Sequence, residues 1–340
     1  MPQTELPELP AGDLLITGAT GFLGGVLVRR LLAAGVAARR IRCLVRDPAR
    51  AVGLPEAALR QGDLGDAAGE SALRRAAEGI AVVVHLAGVL KGYRAADFDG
   101  VNVAGTARLV RAVAAAAPTA HVLCVSSLAA AGPSVDGATS TLPPERARPV
   151  SWYGDSKRRG ELAVVQSGLP WTIVRPPVVY GPGDAATRLL FQQAMAPLVV
   201  VPAVARPLSV IHVDDVVAAL LAALGRLPPA AILPLDGPER TDTHALLRAI
   251  AAATGRTARL LRVPMALARA AAVAADGWAR LRRRPGFFSR DKVREIAACG
   301  WVADGAPTQA ALGVRPAIGL GEGLAAVAQA AGLSPARSLQ

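Results

Sequence analysis

Residues 13–25 read DLLITGATGFLGG, and the reading of this stretch decides the fold. Leu14, Leu15 and Ile16 make a short apolar strand, and Val26 to Leu32 continue as a helix. Between them Gly18, Gly21 and Gly24 stand three residues apart. Gly18 permits a tight turn, Gly21 lets backbone approach a phosphate, and Gly24 lets the helix pack closely on the strand. The first-turn amides around Thr20, Phe22 and Leu23 then face a pyrophosphate. The glycine spacing alone is a weak signal. The strand before it and the helix after it favour a dinucleotide site over a phosphate-free turn.

Outward from this unit, Arg40 to Arg46 reads as a second strand closed by Asp47-Pro48. In an NAD site an acidic side chain near this strand end accepts from the ribose hydroxyls. Here Arg46 holds the end, with Arg50 four residues on, and a guanidinium fork matches a 2′-phosphate. NADP is therefore expected, with NAD as the alternative because Asp47 competes as a ribose ligand. Leu59 to Leu64 is a short third strand and turn. Asp63, beside Leu64, either bonds the adenine edge, the preferred reading, or caps the turn. Ile80 to Gly88 is a continuously apolar fourth strand, to be buried on both faces. Its end, Leu86-Ala87-Gly88, permits close passage of a cofactor. His85 is expected to be structural; no second ligand is spaced with it for zinc, and no metal is expected.

The formal charge of +12 favours anionic partners, but aromatic residues are only 4% and no basic stripe interleaves with them. A nucleic-acid stacking platform is thereby disfavoured. Cys43, Cys124 and Cys299 form no paired pattern, which suits a reducing compartment. No leader pattern and no long uncharged apolar run is read, so a cytoplasmic chain is expected.

The fifth strand, His121 to Ser127, ends in adjacent serines, and 131–150 is a loop placed to border a substrate. Tyr153 and Lys157 lie four apart on one face of the helix that follows. A free tyrosine, with pKa about 10, is a poor base at neutral pH. An adjacent ammonium and the positive nicotinamide of an oxidised cofactor would lower that value. Tyr153 then exchanges a proton with an alcohol or carbonyl while Ser127 holds the substrate oxygen. Asn102, near the start of a helix read over 97–117, bends it or holds a water, with capping or solvent exposure equally open by pattern alone.

Together TGATGFLG, Asp63 in GDLGD, HLAG at 85–88, NVAGT at 102–106, the serine pair, YGDSK at 153–157, RPPVVYGPGD at 175–184 and HVDD at 212–215 resemble the extended short-chain dehydrogenase/reductase family. The resemblance implies an α/β class, a Rossmann-type doubly wound parallel sheet, and a dinucleotide-binding core over 11–180. It further implies a mainly substrate-binding domain over 181–335, with 205–235 returning to the core. It makes Asn102 a water or proton-relay position, Lys157 a ligand of the nicotinamide ribose, Pro176 to Val179, including Val178, the nicotinamide face, and HVDD a structural connector. A homodimer is the family expectation, with a monomer as the other outcome.

Within that family, Leu128-Ala129 replace the Asp-Glu pair of sugar-nucleotide dehydratases, and Val178 replaces an asparagine common in epimerases. LVRDP is similar to the NADPH-using reductase and 3β-hydroxysteroid-dehydrogenase-like branches. Apolar segments at 187–201 and 264–275 suit a hydrophobic substrate such as a steroid, terpenoid, lipid or polyketide. The leading expectation is an NADP(H)-dependent alcohol dehydrogenase or carbonyl reductase for such a molecule. The alternatives are an epimerase working through a transient ketone and a non-catalytic cofactor-binding subunit. One stretch stays apart: 264–284, alanine-rich, contains Trp278 and runs into Arg280, Arg282, Arg283 and Arg284, with Phe287-Phe288 beyond. An ordinary packed helix with a basic end is preferred there over a cleft lid or a membrane-surface helix, so peripheral membrane contact is not favoured.

Overall fold

In β1 (Asp13–Thr17) successive side chains enter opposite faces of a sheet, and both faces are dry. Leu14 and Ile16 pack with Leu27, Val28 and Leu31 of α1 (Phe22–Ala33) and with Cys43 and Val45 of β2 (Ile41–Val45). Leu15 packs on the other side. The chain continues through β3 (Leu59–Gln61), α2 (Glu70–Ala77), β4 (Ile80–His85), α3 (Ala96–Phe98), α4 (Ala104–Ala116), β5 (His121–Val125), α5 (Leu128–Ala131), α6 (Trp152–Val165) and β6 (Trp171–Arg175). The same two-sided burial holds in β4, β5 and β6, which therefore need helices above and below. The computed structural model describes residues 7–282 and 288–334.

β7 (Val178–Tyr180), α7 (Ala185–Ala194), β8 (Val199–Pro202), β9 (Pro207–His212), α8 (Val213–Arg226) and β10 (Ala231–Pro234) follow. Seven strands form one parallel sheet in the order β10-β6-β5-β4-β1-β2-β3. The order reverses between β1 and β4, which opens a crevice at their carboxyl ends, the place where such sheets bind ligands. α1 and α8 cover one face; α2, α4 and α6 cover the other.

The rest is β11 (Arg240–Asp242), α9 (Thr243–Ala253), β12 (Leu260–Val263), α10 (Met265–Leu281), α11 (Arg290–Ala297), α12 (Ala306–Leu312) and α13 (Leu320–Ala330). α7, α9 and α13 bury Phe191, Leu246, Ile250, Leu324 and Val327 in a second core against β9. β9 joins β11 and β7 in a three-stranded sheet, and β8 pairs with β12.

Three readings change. The helix read over 97–117 is interrupted by a π-turn at Asp99–Val103, which places Asn102 inward. Such one-turn widenings recur at functional sites. HVDD is the start of α8 rather than a connector: His212 Nδ1 accepts from Asp214 N at 3.3 Å. The Asp215 carboxylate takes the amides of Ala317 and Ile318, each at 3.0 Å, tying the C-terminal segment to the sheet. Within the segment 264–284, Met265–Leu281 form a helix, α10, but not a packed one, since Ala272 alone among its described side chains is buried. Arg283, Arg284 and Phe287 lie outside the described residues. No helix among the described residues is long and apolar enough to cross a membrane.

Candidate active site

The glycine turn is shaped by contacts that leave no room for side chains. Gly18 has φ +73°, and its carbonyl accepts from Gly21 N at 2.9 Å. A Cβ on Gly24 would lie 2.2 Å from Gly18 O, and one on Gly18 would lie 2.7 Å from Ala87 N. α1 begins behind Gly21 with no side-chain cap and no acid in its first turn. Its first amides therefore present the positive end of the helix to the crevice. This cradle fits a pyrophosphate. Gly24→Ala must push α1 away from the turn, so the dissociation constant for NAD(P) should rise by about ten-fold or more, with stability falling by about 1–3 kcal/mol. Cofactor-fluorescence titration and thermal melting read both changes, and unchanged affinity would remove the cradle assignment.

The other expected cofactor residues ring the same edge. Thr20 is exposed beside the turn, while Phe22 and Leu23 open α1 half-buried. Arg46 is exposed at the end of β2. Asp47 turns away to accept from Ala49 N at 3.0 Å and to pair with Arg50 at 3.4 Å. Asp63 also caps its own turn, with Oδ1 accepting from Gly65 N at 2.8 Å. The Leu64 side chain belongs to the core, and its carbonyl accepts from Arg108 Nε at 3.1 Å. Leu86 N and Ala87 N both bond Thr17, at 3.2 Å each, which extends the β1–β4 pairing into the crevice.

His85 is satisfied on both ring nitrogens. Thr106 Oγ1 donates to the Asn102 carbonyl at 2.9 Å, so it accepts from His85 Nε2, also at 2.9 Å. Nδ1 then accepts from the Thr17 hydroxyl at 2.7 Å. Burial, with the nearby Lys157 charge adding to it, holds the imidazole down to about 3, so it stays neutral. Asn102 works as a latch on the loop after β4. Its Oδ1 accepts from Val89 N at 2.7 Å, and its Nδ2 donates to Val89 O at 3.0 Å and Ser156 Oγ at 2.9 Å. A Cβ on Gly88 would meet Asn102 Oδ1 at 3.3 Å and Lys157 Nζ at 3.8 Å, which brings those three residues together.

Ser127 caps α5, its hydroxyl accepting from Ala129 N at 3.2 Å, and its side chain favours the ionised Tyr153 phenol. Gly154 lets α6 approach so closely that a Cβ there would lie 2.5 Å from Ala129 O. Lys157 is buried and donates to Val125 O at 2.9 Å, at the end of β5. Burial pulls its ammonium below the usual lysine range. The expected lowering of the tyrosine pKa by this lysine is not what the protein alone produces. Burial pushes the Tyr153 phenol up to about 12; the Ser127 bond opposes this and the Glu295 carboxylate adds to it. Ser126, the other member of the pair, is buried, with an oxygen that has no partner among the described residues.

Two neighbours of the Tyr153 segment were not foreseen, and both come from α11. Asp291 accepts from Trp152 N at 2.7 Å and Tyr153 N at 3.3 Å, capping the helix that carries the tyrosine. Ser151 Oγ donates to Glu295 Oε1 at 2.7 Å. Only the carboxylates' spacing within a short amphipathic helix could have drawn attention to them. Val178 and Val179 begin β7 beside β9, and the Pro176 carbonyl accepts from Leu128 N at 2.8 Å.

Comparison with known proteins places this geometry. The model of the NAD dependent epimerase/dehydratase family matches residues 14–232. The ceramide reductase of Caulobacter vibrioides (strain NA1000 / CB15N) is 37% identical over 318 residues, 92% of each chain. Of solved structures, gox2253 has TM-score 0.71 at 25% identity, covering 93% of this chain and 98% of its own. MoeE5 in complex with UDP-glucuronic acid and NAD has TM-score 0.70 at 25% identity, covering 94% and 99%.

These structures correct the expected hydrophobic substrate and partner. The same architecture in MoeE5 accommodates a UDP-sugar together with NAD. The apolar segments on which that expectation rested do other work: Phe191 and Ala194 of α7 belong to the second core, and the first half of α10 faces outward. Neither marks an apolar cleft.

Proposed function

The chain belongs to the NAD-dependent epimerase/dehydratase family, and from that premise we propose that it moves a hydride between NAD(P) and a secondary alcohol or ketone carbon. The observation that carries this reading is that the Ser127 hydroxyl, just past β5, bears on the Tyr153 phenol, while Lys157, one turn further along α6, is anchored on Val125 O at the end of β5. The dinucleotide, when bound, gives or takes the hydride. Ser127 holds the substrate oxygen against the phenol. Tyr153 Oη donates its proton to that oxygen as a carbonyl is reduced and takes one back in the reverse direction. Lys157, fixed on Val125 O beside Gly88, offers positive charge and a ribose donor from the cofactor side.

For the substrate, the likeness to MoeE5 supports a nucleotide-linked sugar, oxidised to a transient ketone and reduced again, with no net cofactor turnover. A second reading rests on the whole-length likeness to the ceramide reductase, namely net reduction of a carbonyl carried on a ceramide. Val178, whose side chain offers no amide to a diphosphate, also favours it. Cofactor accounting separates the two. Epimerisation of UDP-glucose or UDP-glucuronic acid at constant nicotinamide absorbance supports the first. Stoichiometric NAD(P)H oxidation with a carbonyl-bearing ceramide, and none with either UDP-sugar, replaces it with the second.

The exposed Arg46, with Asp47 turned to Ala49 and Arg50, supports NADP over NAD. Losing a charged phosphate contact costs about 1.5–3 kcal/mol. Arg46→Ala should therefore weaken NADPH binding by roughly ten- to hundred-fold and leave NADH binding nearly unchanged. Titration of both cofactors tests it, and equal losses retire the 2′-phosphate assignment.

A further inference from the structure

α10 is apolar on the side that faces away from the protein. Leu267, Ala270, Ala274, Trp278 and Leu281 recur at spacings of three and four, so they share one helix face. All five are exposed, Leu267 to 58%, Trp278 to 57% and Leu281 to 76%, and Val273 flanks them at 55%. The opposite side makes the attachments. Ala272 is buried, Asp276 pairs with Arg290 of α11 at 2.9 Å, and Ala279 O accepts from the Tyr93 hydroxyl at 3.4 Å. A globular helix normally turns its apolar stripe to the core; this one turns it out. The apolar surface continues into the strand that feeds the helix. Leu261 of β12 and Val200 of β8 are register partners, and both are exposed.

The stretch of chain that leads into this face carries charge of one sign. From Thr243 to Ala275 the chain has five arginines and no acid. Arg259, Arg262 and Arg269 among them are exposed. At the far end the Arg282 guanidinium lies over the Trp278 ring, 4.5 Å from its centroid. Aromatic rings and arginines of this kind suit the headgroup level of a bilayer, where the ring is half-wet and the cation meets phosphate. A second copy of this chain would bring the same arginines against each other. An anionic lipid surface complements them.

We propose that α10, with the exposed Val200–Leu261 face, docks the protein peripherally on an anionic membrane surface, Trp278, Leu281 and Leu267 entering the interface and Arg259 and Arg282 meeting lipid phosphates. The docking goes beyond the hydride-transfer reading and does not depend on it.

The test is flotation of the full chain with vesicles of phosphatidylcholine alone and of phosphatidylcholine with phosphatidylglycerol two to one. Binding is expected to the mixed vesicles, weakening with salt, and with a blue shift in tryptophan emission that Trp278→Phe removes. Trp278→Glu with Leu281→Glu should lower the partition coefficient by about ten-fold or more. Arg259→Glu with Arg282→Glu should lower it by roughly five-fold for each arginine lost. These side chains are exposed, and circular dichroism checks that the variants stay folded. Failure of the wild-type chain to float with mixed vesicles, or binding unaffected by the Trp278 and Leu281 changes, overturns the proposal. So does a vesicle-independent dimer, seen by sedimentation, that those changes dissociate, since the face then belongs to a second copy.

Discussion

Replacing Tyr153 with phenylalanine is expected to lower kcat by about 10²- to 10⁴-fold, the usual contribution of a positioned acid or base. Cofactor affinity should stay close to that of the wild type. The substitution removes one oxygen from a ring held by neighbours that remain. The amide at 153 stays on Asp291, and the ring keeps Phe98 at 6.3 Å between centroids. The direction of pH dependence follows from the phenol's environment. Burial pushes it up to about 12, so at neutral pH it carries its proton and is ready to act as the acid. Carbonyl reduction should accordingly be nearly flat between about pH 6 and 9, whereas alcohol oxidation, which needs phenolate, should climb with pH through that range. Initial rates in both directions across pH, for wild type and Tyr153→Phe, check this. A variant keeping more than about a tenth of wild-type kcat would remove Tyr153 from the proton-transfer role.

The largest expected effect on stability lies behind the site, at Glu161. Arg175 and Glu161 are both fully buried and joined by a two-point fork, Nε to Oε1 at 2.9 Å and Nη2 to Oε2 at 2.6 Å. Nη1 donates to Ser140 O at 3.0 Å and Leu142 O at 2.7 Å, so the arginine pins the loop after β5 against α6. Glu161→Ala leaves a guanidinium in a dry interior without its counter-charge, at a cost of about 3–5 kcal/mol. Replacing both residues by apolar ones of similar volume should recover much of that loss, because the desolvation cost disappears with the charge. Urea denaturation of the single and double variants measures the difference. A wild-type midpoint for Glu161→Ala would show that water reaches the pair.

The parts that could be read from sequence are those in which function and local backbone coincide. The turn at Gly18 to Gly24 announces itself because each glycine is required within a few residues of the next. Tyr153 and Lys157 could be paired because helical spacing relates them. Asp291 and Glu295 could not, since they reach α6 from more than a hundred residues away. Arg175 and Glu161 read as the charged end of a strand and an ordinary helix position, and only tertiary packing makes them partners. α10 shows the other failure. An apolar period of three and four looks the same whether the stripe is buried or bare, so a packed helix was the natural expectation. Substrate identity fails for a related reason: the apolar residues of α7 fill a core, and composition does not distinguish a core from a cleft.

The cap that Asp291 places on the start of α6 also orders events during synthesis. The last strand of the parallel sheet ends at Pro234, whereas the carboxylate that receives the amides of Trp152 and Tyr153 emerges more than fifty residues later. A growing chain can thus assemble its glycine cradle well before the amides of Trp152 and Tyr153 find their acceptor, although Ser151 already caps Gly154 N. The first turn of α6 is completed only when α11 arrives.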